Sequence, residues 1–377
     1  MSDQLKTAKR TKFAVGHYLT PTVDDPNSFA HQMELYADRL MEVYFPWPGL
    51  NNARGYKCEE NGEEERLIAD LKYCRAHGMK LDLLINATCY GEKSFTKEQR
   101  EEVIGIIDRM DSLGLRPEVV TTTSPYVAQV FKLYIPGIEV RASVNMRLRN
   151  TLALEYLAPQ FDSFYICRDV QRDFPTLNMF EKWCADHGKK LCMLVNSGCV
   201  RNCPWQVFHE SLLAHDFPAK VDEMTNTVGA LVCKRTFIKK RFTEFLRASW
   251  IRPEDIPLFE PHVSTMKLST REAPYPEKIM KAYMDGSWEG NLLHLFDPSF
   301  SFQFRPFIID NKKFPADWAT SGIGGKCADN CTECGRCDEV MNQVLVNDLG
   351  RLFNSKGAIS FSMAPAPMMM PPPEKKG

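Results

Sequence analysis

The sequence predicts a TIM-like (β/α)8 barrel with a C-terminal cysteine-rich extension. Eight short apolar or β-branched runs alternate with helix-length amphipathic segments over roughly 260 residues, the size of an eight-stranded parallel barrel. One αβ unit occurs twice. No Gly-x-Gly-x-x-Gly follows the first strand, so the main sign of an open doubly wound sheet is missing. The 377 residues divide into a flexible N-terminus (1–11), the barrel (12–300), a cysteine-rich metal-binding extension (301–355) and a disordered Pro/Met-rich tail (356–377).

The eight strands are expected at 12–18, 40–46, 81–86, 117–123, 139–145, 162–168, 190–196 and 265–270. Amphipathic helices fill most gaps; in 96–113, Ile104, Ile106, Ile107 and Met110 lie among Glu, Lys and Arg. A polar residue at the C-terminal end of a barrel strand points into the mouth where such folds do their chemistry. That singles out His17, Asn86, Asn196 and Lys267 as substrate-positioning candidates, with Ser124, Asn145 and Asp169 as further rim residues. Each alone also fits a turn or cap.

The repeat pairs LKYCRAHGMKLDLLIN (71–86) with EKWCADHGKKLCMLVN (181–196), identical at eight positions. The two copies form the approaches to strands three and seven. Cys89 then falls over Cys199, and a weaker echo places Tyr44 over Tyr165. A duplicated half-barrel would set each pair on opposite sides of the axis. Gly78 and Gly188 are read as left-handed residues after a helix, and His77 and His187 as last-turn residues suited to the helix dipole, not as ligands. Cys74 and Cys184 read as small buried hydrophobes.

Lys+Arg (47) and Asp+Glu (48) nearly cancel to a net charge of -1, which argues against binding duplex DNA and against a polybasic membrane anchor. Lys234 to Arg247 remains a local basic patch suited to structured RNA. No run approaches a membrane span, and the polar start lacks a secretory h-region, so a cytoplasmic protein with thiols in place of disulfides is expected.

There are 13 cysteines, and they cluster. Cys199 and Cys203 lie in a strand-to-helix loop, with Pro204 expected at the first helical position; free N–H groups and the helix dipole there favour thiolates. Cys233 follows 30 residues later. Iron–sulfur or zinc would suit these three, with Cys89, Cys167 or a residue of the C-terminal run as a fourth ligand. The second cluster is Cys327-x3-Cys331-x2-Cys334-x2-Cys337. Its last three members have the spacing of bacterial ferredoxin ligands, whereas four-thiolate zinc usually uses two separated knuckles, so iron–sulfur is preferred and zinc is the alternative. Cys327-x3-Cys331-x2-Cys334 also has radical S-adenosylmethionine spacing, but it follows the last barrel strand instead of the first. Met368, Met369 and Met370 are read as part of the disordered tail.

The run Asn196-Ser-Gly-Cys199-Val-Arg-Asn-Cys203-Pro-Trp resembles the collagenase-like peptidase family U32, whose signature is Gly-x-Cys-x3-Cys-Arg-Trp-like. Pro204 stands where Arg is more usual. Cys233 and Ile251-Arg-Pro-Glu-Asp-Ile256 also fit that layout, which spans about residues 12–290 with sharp motifs only in 196–270; the 327–337 run is an addition to it. The resemblance implies a barrel carrying a 4Fe–4S cluster held by four cysteines, with Cys199, Cys203 and Cys233 as ligands and the fourth not carried over by motif; with the C-terminal run, one or two clusters are expected. Relatives include oxygen-independent hydroxylases of ubiquinone synthesis, RNA-base hydroxylases and proteins named proteases. Three functions follow as expectations: an iron–sulfur oxidoreductase acting on a small molecule or RNA base; a peptidase, for which His209 is a candidate base although His-Glu-x-x-His and Gly-x-Ser-x-Gly are both absent; or an electron carrier serving a redox partner protein.

Overall fold

The structure is a computed structural model that describes residues 12–20, 25–50, 52–53, 62–215, 231–321 and 331–348. The expected arm 1–11, the tail 356–377 and Cys327 lie outside the described residues. Eight parallel strands close into a barrel in sequence order: β1 (Phe13–Gly16), β2 (Leu40–Phe45), β3 (Lys80–Ile85), β4 (Val119–Thr122), β5 (Glu139–Ala142), β6 (Ser163–Tyr165), β7 (Lys190–Leu194) and β8 (Thr265–Leu268). All eight expected strands are present; seven are trimmed by one to four residues, and β3 is shifted by one residue toward the N-terminus. Side chains take over where pairing stops: Thr270 Oγ1 accepts from Gly16 N (2.8 Å) and donates to Gly16 O (3.0 Å), which ends β1 and β8 together.

Helices α1 (Phe29–Tyr36), α2 (Glu63–Ala76), α3 (Lys97–Ser112), α4 (Pro125–Tyr134), α5 (Thr151–Leu157), α6 (Phe174–Asp186) and α7 (Gln206–His215) follow β1 to β7 in turn. Local chemistry starts several of them. Ser28, Thr96, Ser124 and Asn150 each accept a hydrogen bond from a backbone N–H of the first turn, and Pro125 fits the first turn of α4. The outward strand residues, such as Phe13, Val15, Val43, Phe45, Leu83 and Phe164, join one apolar core with the inner helix faces. Alternation turns the intervening residues into the lumen.

That lumen is charged. Glu42 on β2, Asp82 on β3, Arg141 on β5 and Lys267 on β8 are all buried. Arg141 reaches across three strands to grip Glu42 with both Nη atoms (2.5 and 3.0 Å), stands 3.5 Å from Asp82 and 3.1 Å from Glu139, and donates to Ser163 (3.2 Å). Such bonds can only pass through the barrel interior. A guanidinium suits this place because its planar fork satisfies a carboxylate bidentately. Burial and the nearby Glu42 push the Asp82 carboxyl up to about 7, against the opposing pull of Arg141, Lys267 and the Thr121 hydroxyl.

The chain after the barrel folds back on it. β9 (Phe307–Ile309) pairs antiparallel with β10 (Leu345–Asn347), and the helix Arg336–Val344 precedes β10. Trp318 and Phe314 pack against Trp250, and Arg172 lies between Trp250 and Trp318, its guanidinium carbon 5.6 and 4.8 Å from the two ring centres.

Candidate active site at the C-terminal mouth

The exit of β7 is fixed residue by residue. Asn196 is fully buried and acts as a clip: Nδ2 donates to Ser269 O and Leu295 O, both at 3.0 Å, and Oδ1 accepts from Ser269 N at 2.6 Å. Ser197 forms a strand-like bridge with Asp297. Gly198 N donates to Asp297 O (3.0 Å), and a Cβ on Gly198 would stand 2.2 Å from Pro298 O. Only glycine permits that approach. Cys199 is thereby delivered to the mouth, half-buried, with Arg168 Nη1 3.7 Å from its sulfur.

The turn that follows is held by Asp169, whose Oδ1 accepts from Asn202 N (3.0 Å) while its other oxygen pairs with Arg149. Asn202 adopts φ +52°, a left-handed geometry that Asn tolerates. Cys203 comes next. Pro204 and Trp205 form a turn and α7 begins at Gln206, so Pro204 precedes the first helical position it was expected to occupy. Glu210 on α7 ties the rim together by accepting from Arg147 and from Arg168 (2.6 Å).

Cys199, Cys203 and Cys233 share this neighbourhood. Burial raises the Cys203 thiol, and Cys199 and Asp169 add to the effect. Burial pushes the Cys233 thiol up to about 11, with Cys199 and Cys203 both contributing. Among the described residues, no three His, Cys, Asp or Glu side chains are gathered so that they could hold one metal ion. Thiols are donors that both iron–sulfur clusters and zinc accept.

The remaining candidates separate. Cys89 lies at the exit of β3, across the barrel from β7, and accepts from Gly91 N (3.5 Å). Cys167 is closer, its sulfur 3.9 Å from Asp169 Oδ2, and its thiol is raised by burial. In the extension, Cys334 is exposed and Cys337 is half-buried beside Arg172, whose pKa it helps to set. Cys331 begins a short helix.

Three polar candidates have structural duties. His17 Nε2 pairs with Asp70 on α2 (2.8 Å), and its ring meets Phe29 on α1 edge-on, so it lies between the barrel wall and the helices and not in the mouth. Asn86 accepts from Ala53 N (3.2 Å), and Asn196 is the clip described above. Ser124 caps α4, and Asp169 organises the cysteine turn. His209 lies on α7 beyond Cys203.

Lys267 alone among the four faces the mouth. It sits on β8 beside Leu194, and its Nζ lies 3.5 Å from the Tyr44 ring centre and 5.6 Å from that of Tyr165. Burial lowers its pKa to about 8, against the nearby Asp82. The charged lumen beneath it was missed at the level of sequence. Its signal was nonetheless present: Glu42, Asp82, Arg141 and Lys267 each interrupt an otherwise largely apolar strand at an inward position.

No family model matches the chain. It is 26% identical over 315 residues to Uncharacterized protease MJ1657 of Methanocaldococcus jannaschii, covering 81% of this chain and 88% of that one. The chain thus has a relative named as a protease. Among solved structures, the U32 peptidase Mk0906 superposes with a TM-score of 0.48 at 10% identity, over 70% of this chain and 94% of that one. A mandelate racemase/muconate lactonizing enzyme from a marine actinobacterium gives 0.33 at 10% identity, over 53% and 51%. Among the described residues, no helix is long and apolar enough to cross a membrane.

Proposed function

We propose that the protein is a U32-type barrel enzyme whose reacting end is the C-terminal mouth, with Cys199, Cys203 and Cys233 as the protein ligands of an iron–sulfur cluster. The observation that carries this reading is the shared neighbourhood of Cys199 and Cys203, on a loop bolted down by Asn196 and Gly198, and Cys233 on the helix Leu231–Ile238. When bound, the cluster would supply one-electron chemistry, and oxygen-independent hydroxylation of a small molecule or RNA base is the reaction class that fits it. The chain's own part is to position. Arg168 places a cation beside Cys199, Asp169 fixes the turn between the two loop cysteines, and the salt-bridged rim of Arg147, Arg168 and Glu210 holds α7 over the mouth.

The exposed residues Lys234, Arg235, Lys239, Lys240 and Arg241 lie directly after Cys233. They favour a polyanionic substrate, and RNA binding through them would weaken steeply with salt. The test of the main reading is iron and acid-labile sulfide analysis after anaerobic purification, with electron paramagnetic resonance of the reduced protein. A cluster signal lost in Cys199→Ser supports it; stoichiometric zinc with negligible iron refutes it.

A peptidase is the second reading, favoured by the name of the archaeal relative. It requires an activated nucleophile or a metal-bound water. The His17–Asp70 pair is remote from the mouth and does not supply one. Hydrolysis of unfolded protein substrates that persists after iron is removed would favour this reading over redox chemistry.

A further inference from the structure

Two polar groups at the top of the lumen make no hydrogen bond among the described residues. Lys267 makes no hydrogen bond and no ion pair among the described residues, although its register partner Leu194 and its neighbours enclose it. The Tyr165 hydroxyl is buried and likewise unbonded. Of the acids below, Glu42 is gripped by Arg141 with two bonds, whereas Asp82 has Arg141 at 3.5 Å, accepts from Thr121 (2.8 Å) at Oδ2 and leaves its buried Oδ1 without a hydrogen bond. The lumen thus contains two carboxyls and two basic groups, and the guanidinium makes its two carboxylate hydrogen bonds to Glu42 alone of these two, standing 3.5 Å from Asp82. The amine is left over a ring face. Depth separates them as well: Glu42 and Asp82 are 0% exposed, whereas Lys267 is 8% exposed, at the solvent limit of the barrel.

We propose that Lys267 is a carbonyl-capturing amine, which forms an imine with an aldehyde, ketone or 2-oxo acid held at the barrel mouth between Tyr44 and Tyr165. This rests on the reading of the mouth as the reacting end. The neutral amine adds its lone pair to the carbonyl carbon, a C–N bond forms, and the C=O π pair moves to oxygen, which takes up a proton. The nitrogen gives up one proton to reach the carbinolamine and its second as the oxygen, protonated again, leaves as water and the C=N bond forms, and hydrolysis reverses each step. No oxidant or reductant is needed. The Tyr165 hydroxyl is the group available to hydrogen-bond the carbonyl oxygen as charge develops on it. Groups facing the amine are Asp82, Glu42, Arg141 and Arg271. Desolvation favours its neutral form, as it does in other imine-forming lysines.

Formaldehyde and glyoxylate with cyanoborohydride at pH 7.5 trap the imine on the intact chain. Peptide mapping then reads Lys267 directly, because its modification blocks cleavage within residues 248–271. Labelling of Lys267 about tenfold faster than of the exposed lysines is expected, since a pKa near 8 leaves far more free amine than the usual ~10.4. Tyr165→Phe should slow it several-fold. Lys267→Arg should abolish the adduct at this position while keeping the charge, and Lys267→Met serves as a second variant if Arg disturbs folding, with circular dichroism reporting the fold of each. Formaldehyde is small enough to enter any opening that admits water. If it modifies surface lysines and leaves Lys267 untouched, the proposal fails. The adduct is read whether or not the chain holds iron, so its failure and that of the iron–sulfur reading are told apart.

Discussion

The two copies of the repeated unit, α2–β3 and α6–β7, began from the same sequence pattern and ended with different duties. Their shared parts are the structural ones. His77 Nδ1 donates to Tyr73 O and His187 Nδ1 to Trp183 O, both at 2.8 Å, and the rings stack at 4.1 and 4.2 Å. Gly78 and Gly188 follow with φ +75° and +62°. Cys74 and Cys184 are both buried in the wall–helix core. Beyond the strands the copies part. Asn86 has one backbone partner, whereas Asn196 has three, and Cys89 follows β3, on the side of the barrel opposite the β7 exit that carries Cys199. The difference teaches that the helix stop and strand are conserved by packing, while the loop at the strand's C-terminal end is free to acquire chemistry.

The largest expected contrast is at the two asparagines. Asn196→Ala leaves two carbonyls and one N–H buried without partners and should cost about 3–5 kcal/mol, against about 1 kcal/mol for Asn86→Ala. Urea unfolding of both variants checks this; equal losses would break the comparison. Next come the glycines. Gly198→Ala must displace the Pro298 carbonyl and should cost about 2–3 kcal/mol. Gly188→Ala and Gly78→Ala meet no neighbour and should each cost about 1 kcal/mol from their left-handed geometry alone.

A third contrast is inside the barrel, where Asp82 of one copy overlies Cys192 of the other. The Asp82 carboxyl has a folded pKa of about 7, above its unfolded value near 3.9. Between those values the folded state holds the extra proton, so this group makes stability fall as pH rises through the window. Asp82→Asn should flatten that slope in unfolding measured from pH 4 to 7, and an unchanged slope would place the titration elsewhere. The smallest effect is at the helix ends: His77→Ala and His187→Ala should match within about 0.5 kcal/mol, each losing one hydrogen bond and one stacked ring.

The fold was legible because the barrel's outer face and its helices follow the rule of apolar periodicity. Leu81, Leu83 and Ile85, or Leu191 and Met193, announce a wall packed by helices. The lumen was not legible by that rule, because it depends on partners from strands far apart in sequence: Glu42 and Arg141 meet only once the barrel has closed. Of the proposed site, the closeness of Cys199, Cys203 and Cys233 could be anticipated from spacing and resemblance. The duties of Asn196 and His17 could not, since a polar residue ending a strand reads alike whether it faces the mouth, clips a loop or bonds a helix.

The most direct measurement of the central claim is parallel iron and sulfide analysis of the anaerobically purified wild type, Cys89→Ser and Cys199→Ser. The account predicts equal iron and sulfide in the wild type and Cys89→Ser, and loss of the mouth site's share in Cys199→Ser. Iron retained in full by Cys199→Ser, or lost equally from Cys89→Ser, would contradict it.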